Sequence, residues 1–258
     1  MQFLFPCDYF DKHLPDEMFR DQAHALQSAG HHVYTLDLDQ PGSPIRPRPD
    51  AAPMLYRGYM LDPKAYASLE QTVQAQGASL LIPSDMYLRA HHLPGWYPLI
   101  QDLTPETVCY RDAAEALAAL PALGWKRFFL KDFVKSLKSG AGSIAATPVE
   151  AAEILSALES FRGQLEGGIC VRRVLDLQVD SERRYFVWRG RAFASCPQAP
   201  IPALVQACCE RVDSDFFSVD IAQDASQRDW VIEIGDGQVS DLVGWSAEAF
   251  ARIFATAC

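Results

Sequence analysis

The sequence predicts an α/β open-sheet N-terminal part followed by an α+β half, and three observations carry that reading. An apolar run, an amphipathic helical stretch and a second apolar run follow one another at the start of the chain. Beyond about residue 105, strand-like runs come in pairs rather than alternating with helices. Within Phe216 to Asp241, FSVDI and WVIEI are two apolar runs separated by a polar turn, which reads as a hairpin.

Composition bounds the function. At 258 residues and 49% hydrophobic content the chain can bury a substantial core. A formal net charge of −10 argues against general nucleic-acid binding, which needs a surplus of Lys and Arg on one face. The seven cysteines are scattered without CxxC or Cys/His ligand spacing, so a reduced, cytoplasmic protein without structural zinc is expected. The N-terminus lacks a signal-peptide pattern, and no stretch approaches the roughly 20 apolar residues of a membrane span.

Taken in order, MQFLFPC reads as a strand, PDEMFRDQAHALQSAG as a helix closed by Gly30, and HVYTLDL as a strand parallel to the first. GxGxxG, the dinucleotide fingerprint, is absent. A proline-rich loop over residues 40 to 53 leads to MLYRGYML, expected as a strand containing Arg57 and Gly58. PKAYASLEQTVQAQG is a helix and SLLIP a strand; His91 and His92 are adjacent, would diverge by about 100° on a helix, and read as loop or surface residues. TPET reads as a helix start, DAAEALAALPALG and PVEAAEILSALESF as helices, GGICVRRVLDLQV and RRYFVWRGRAFAS as strand-like, and IPALVQACCERV as a helix.

Three segments can carry chemistry. FFLKDFVKSLKSGAGS sets Lys131 in an apolar strand, where a lysine is costly without an anion, and follows it with Lys135, Lys138, Ser139, Gly140 and Gly142. Such a loop can present backbone N–H groups to phosphate, although a mobile basic surface loop is the alternative, and the Walker A pattern is missing. VRRVLDLQVDSERRYFVWRGR supplies arginines suited to holding phosphate or carboxylate by two bonds; Arg184 shares a face with Phe186 and Trp188, and the pattern does not say which arginine faces a site. Arg189 and Arg191 read as solvated residues around a turn at Gly190. In the hairpin, a turn symmetric about Ser226 and Gln227 would set Asp220 opposite Glu233, with Asp236 just beyond, an oxygen-rich set suited to Mg²⁺ and nucleotide phosphates. The alternative is a sheet face whose acids point at water.

In this order, the lysine strand with its glycine loop, then ERRYFVWRGR, then FFSVDI and WVIEIGDGQ resemble the landmarks of the ATP-grasp fold. YRGYML, FLKDFVKSLKSG, ERRYFV and VIEIGDGQVS are similar to segments of compact ATP-grasp domain proteins. The resemblance is strongest over residues 125 to 242. It implies an N-terminal open-sheet (pre-ATP-grasp) domain over 1–104, a lobe over 105–166 with the lysine strand and glycine loop, and a lobe over 167–258 with the metal hairpin, the two α+β lobes clamping the nucleotide. It also implies ATP and Mg²⁺ as cofactors and a carboxylate–amine ligase working through an acyl phosphate on small-molecule or peptide substrates. By position, Lys131 would meet the α/β-phosphates, and Lys138 with Lys135, Ser139 and Gly140 would cover the β/γ-phosphates. Arg172, Arg173 and Val174 would lie beside adenine, Arg184 would hold the transferred phosphate, and Asp220, Glu233 and Asp236 would bind magnesium. Arg57 is a candidate for the substrate carboxylate. One departure stands out: many ATP-grasp enzymes end the metal strand with Glu-x-Asn, and this chain has Gly235 followed by Asp236. A small-molecule kinase and a non-catalytic nucleotide-binding protein are the competing readings, and the sequence leaves room for a homodimer.

Overall fold

The computed structural model describes residues 1–40, 42–134, 142–162 and 165–255. β1 (Gln2–Pro6) is buried along its whole length, as expected for a strand covered on both faces. α1 (Arg20–Ser28) buries Ala23, Ala25 and Leu26, the chain reverses at Gly30 (φ 85°), and β2 (His32–Leu36) returns parallel to β1. β3 (Pro53–Tyr56) joins the other edge of β1 and ends before Arg57 and Gly58, which the sequence places inside it. It ends there because the Gly58 N–H donates to Gln238 O (3.1 Å) instead of continuing the ladder.

α2 (Pro63–Ala75) starts on the Asp62 side chain, which accepts from the Ala65 N–H, with Pro63 in the first turn. β4 (Ser79–Leu80) completes an all-parallel sheet of order β2-β1-β3-β4. α3 (Ser84–His91) and α4 (Leu93–Ile100) follow. The two histidines between them are not surface residues: His91 is 5% exposed, and His92 Nε2 lies 2.8 Å from Glu166 Oε1. A second helix starting directly after the first draws both into packed surroundings.

β5 (Thr107–Tyr110) occupies the place where TPET suggested a helix start. The helix start lies further on, at Asp112, whose carboxylate caps α5 (Ala113–Leu123) at the Glu115 N–H; Gly124 (φ 67°) ends it. β6 (Phe128–Asp132), β7 (Ile144–Ala145), α6 (Pro148–Arg162) and β8 (Ile169–Arg173) complete an antiparallel sheet of order β5-β8-β6-β7. β9 (Arg183–Trp188) and β10 (Arg191–Ala194) make a hairpin whose two turn residues, Arg189 and Gly190, both have positive φ, the conformation that matches strand twist. α7 (Ala203–Arg211), β11 (Phe216–Gln223), β12 (Asp229–Asp236) and α8 (Ala247–Ala251) end the order, with a third sheet of order β10-β9-β11-β12.

The chain gathers into two compact units: residues 1–90, 183–219 and 235–258 form the first, and 91–182 with 220–234 the second. The first has an aromatic-rich core in which Phe216 lies 5.8 Å from Phe186 and 5.4 Å from Phe254, ring centre to ring centre. The second is closed by Leu120, Leu130, Ile154 and Val171, where α5 and α6 cover one face of their sheet. Among the described residues no helix is long and apolar enough to cross a membrane.

One expectation from composition is corrected. Cys109 and Cys170 form a disulfide rather than remaining thiols, because the antiparallel register of β5 and β8 sets them directly opposite each other. They lie 61 positions apart in sequence, so spacing carried no sign of the bond.

Candidate active site

In the second unit the sheet β5-β8-β6-β7 has two unlike faces. Phe128, Leu130, Ile169 and Val171 point to the helices. Register and alternation put Thr107 and Cys109 of β5, Cys170 and Arg172 of β8, and Phe129 and Lys131 of β6 on the opposite face. That face carries the chemistry.

Lys131, with a side chain only 7% exposed, has its Nζ 3.0 Å from Glu233 Oε1 on β12; the Glu233 side chain is 43% exposed. The anion that the buried lysine requires is thus an acid of the same unit. Asp220, on β11, is 1% exposed. The hairpin tip closes where the Asp224 N–H donates to Arg228 O (3.0 Å) and Asp224 O accepts from the Gln227 N–H (2.9 Å). The turn is therefore centred on Ser226, half a step from the expected midpoint, and the two acids sit in unlike surroundings.

Arg172 also belongs to this face, and it is a clamp. Buried to 7%, it donates from Nε to Thr107 Oγ1 (3.1 Å), from Nη2 to Thr104 Oγ1 (3.4 Å) and from Nη1 to Ile232 O, beside Glu233, while its guanidinium lies 5.7 Å from the Trp96 ring centre. Burial lowers its pKa to about 10, opposed by the charge of Glu233. Thr104 Oγ1 donates to Val231 O (2.8 Å) and Val231 N–H to Leu103 O (2.9 Å), so this stretch of β12 is fastened from both Arg172 and the Leu103–Thr104 segment. Trp96, Thr104 and Thr107 do not stand out in the sequence, since no motif marks them.

Arg173 is exposed and loosely paired with Glu106 (3.9 Å). With Val174, Lys126, Arg127 and Asp176 it lines a cavity of about 330 Å³ that includes neither Lys131 nor Glu233. Lys135, Lys138, Ser139 and Gly140 lie outside the described residues.

In the first unit, Asp236 is fully buried. Its Oδ1 accepts from the Gln238 N–H (2.9 Å) and Gln238 Nε2 (3.0 Å), and Gln238 also bonds to the Tyr66 hydroxyl (2.9 Å). Among the described residues Asp236 Oδ2 has no hydrogen-bond partner. Burial raises this carboxyl to about 7, against the lowering effects of the Gln238 bonds and the Arg57 charge. Arg57 is 1% exposed; Nε donates to Gln22 Oε1 (2.7 Å) and Nη1 to Gln238 O (2.9 Å) and Gly237 O (3.3 Å). Arg184 Nη1 donates to Asp241 O (2.7 Å), and Arg184 O accepts from Trp245 Nε1 (3.0 Å).

Gly235 stands at the position where Glu-x-Asn would end in asparagine, and packing explains the residue. A Cβ there would lie 3.0 Å from Ser240 Oγ and 3.1 Å from Ser218 Oγ, two hydroxyls already bonded to each other at 2.8 Å.

Among the described residues no three His, Cys, Asp or Glu side chains gather into a metal cluster. Carboxylate oxygens on β11 and β12 are nonetheless the donor type that Mg²⁺ takes when one or two acids and a nucleotide's phosphates share it.

The family model of an ATP-grasp domain, family 3 of its clade, matches residues 122–253. The chain belongs to that ATP-grasp family. Solved structures agree on the fold. The chain is similar to a RimK domain ATP-grasp protein from Sphaerobacter thermophilus (TM-score 0.64, 15% identity, 97% of this chain and 98% of that one). It is similar also to the D-cycloserine synthetase DcsG (0.67, 13%, 99% of both chains). A third is the ATP-grasp ligase PsnB complexed with a minimal precursor, Mg and ADP (0.57, 12%, 97% and 96%). No curated protein matches the chain. The lysine strand, the arginine strand β9 and the acidic hairpin of this ATP-grasp chain all fall within the matched span.

Proposed function

We propose that this ATP-grasp protein is an ATP- and Mg²⁺-dependent ligase that joins a carboxylate to an amine through an acyl phosphate. The observation that carries the reading is the Lys131–Glu233 pair on the open face of the second unit's sheet. A buried cation whose anion is a partly exposed acid is suited to exchange that partner for phosphate. Lys131 binds the α/β-phosphates, and Asp220 and Glu233, with Asp236 Oδ2 as a further oxygen, hold the cation. When bound, Mg²⁺ neutralises charge on the phosphates. Arg172 keeps the strand of Glu233 in place. Arg184 steadies the transferred phosphoryl group. The Nη2 edge of Arg57, which carries no hydrogen bond among the described residues, is what remains to orient the substrate carboxylate.

The DcsG and PsnB names, a synthetase and a ligase, support a bond-forming outcome. PsnB is complexed with a minimal precursor, which makes a peptide carboxylate one class to offer as substrate. The test is isotope transfer: carboxylate substrates labelled with oxygen-18 are incubated with ATP, Mg²⁺ and a mixture of amines. Release of ADP with phosphate carrying the label, together with an amide, is expected. A stable phosphate ester with unlabelled phosphate would make the protein a kinase and overturn the reading.

A further inference from the structure

We propose that Cys109–Cys170 is a redox modification site that sets the nucleotide affinity of the second unit; this rests on Lys131 and Glu233 being nucleotide and cation ligands. Cys109 lies level with Cys170, and Cys170 lies level with Lys131, so the three form one row across β5, β8 and β6. Directly opposed residues of antiparallel strands share a face, with neighbouring Cβ atoms about 4.5–5.5 Å apart. The disulfide is therefore the immediate lateral neighbour of the Lys131–Glu233 pair, on the same face as Arg172.

The two sulfurs differ in access. Cys170 is fully buried, whereas Cys109 is partly exposed on β5, the edge strand of its sheet. Exchange enters at Cys109. The thiolate of a small-molecule dithiol attacks Cys109 Sγ, the S–S bond breaks, and Cys170 leaves as a thiolate that takes up a proton. The second thiol of the reductant then attacks the mixed disulfide, freeing Cys109 as a thiol and leaving the reductant as its own disulfide. Two electrons and two protons pass to the protein. Formation of the bond is the reverse, with a small-molecule disulfide as oxidant.

Reduction changes the space the row needs. Bonded sulfurs sit about 2 Å apart, and unbonded ones require contact distances of about 3.5–4 Å. Close packing passes such a change on to neighbours instead of absorbing it. Lys131 is 7% exposed and is held at its far end by Glu233, so it is the residue that feels the change. The oxidised form, with β5 and β8 joined, keeps Lys131 in the better place for phosphate.

The full chain is prepared oxidised by a small-molecule disulfide and reduced by a phosphine, each state is verified by intact mass, and Mg-ATP is titrated calorimetrically. Tighter binding by the oxidised form is expected, by about five-fold or more. By linkage, saturating Mg-ATP should then resist reduction of the bond by the same factor. The Cys109→Ser/Cys170→Ser variant should bind equally after either treatment; Cys109→Ser alone serves if the double variant does not fold. Equal affinity in the two wild-type states would overturn the proposal, as would an equal redox shift in the variant, which would move the effect to Cys7, Cys196, Cys208 or Cys209. No binding in either state would overturn the nucleotide reading itself.

Discussion

Lys131 Nζ and Glu233 Oε1 lie 3.0 Å apart, so the lysine set out for phosphate and the acid set out for metal neutralise each other in the ligand-free chain. Nucleotide and cation would replace this contact together, each taking one of its members. Lys131→Ala should weaken Mg-ATP binding by about 1.5–3 kcal/mol, the scale of a hydrogen bond to a charged group. Calorimetric titration checks this, and an unchanged dissociation constant would return Lys131 to a purely structural role.

Glu233→Gln keeps the shape and removes the charge. Nucleotide binding by this variant should need a higher Mg²⁺ concentration than the wild type. ATP titrations across a magnesium series decide the matter, and superimposable curves would show that this acid is no cation ligand.

Replacing Arg172 with Met should cost about 2–4 kcal/mol of unfolding free energy, because Thr104, Thr107 and Ile232 O lose a charged donor in a buried place. Lys, which lacks the planar fork, should restore only part of this. Urea unfolding of the three proteins provides the comparison.

Asp236 makes stability depend on pH with a definite sign. Its folded-state pKa of about 7 lies above its ordinary 3.8, so between these values the native chain holds more protons than the unfolded one. Stability from this carboxyl is therefore greatest at low pH and is lost as pH rises through about 7. Asp236→Asn removes the titration, with Gln238, Tyr66 and Arg57 as the groups facing it. In EDTA, the melting temperature of the variant minus that of the wild type should grow from about pH 5 to about pH 8, the range that brackets the raised pKa. A difference that stays flat would mean Asp236 titrates normally.

Gly235→Ala should destabilise the chain by about 1–3 kcal/mol, since the new methyl presses on the bonded Ser218 and Ser240 hydroxyls. Ser240→Ala added to it should recover part of that loss, which thermal unfolding of the pair measures.

Much of the architecture was legible because local periodicity is enough to define it. Gln2–Pro6, Arg20–Ser28 and His32–Leu36 follow from an apolar run, a helical face ending at glycine and a second run, and the parallel pairing follows from the crossover. The hairpin Phe216–Asp236 was visible from β-branched and aromatic runs around a polar turn. β5 was missed because TPET carries a helix-start pattern, while the cap lies at Asp112.

The chain's residues by themselves determined which chemical groups are available: a lysine in an apolar strand, arginines on a second strand, acids on a hairpin, and the order that marks ATP-grasp. Tertiary structure decided who meets whom. Arg172 reads as one more nucleotide ligand until register and packing turn it onto Thr107 and Ile232 O, and Cys109 and Cys170 are unrelated thiols until β5 and β8 come level. Periodicity is a property of neighbouring residues and survives in one dimension. Partnership between residues as far apart in sequence as Cys109 and Cys170, or Lys131 and Glu233, depends on strand register, which only the folded chain sets.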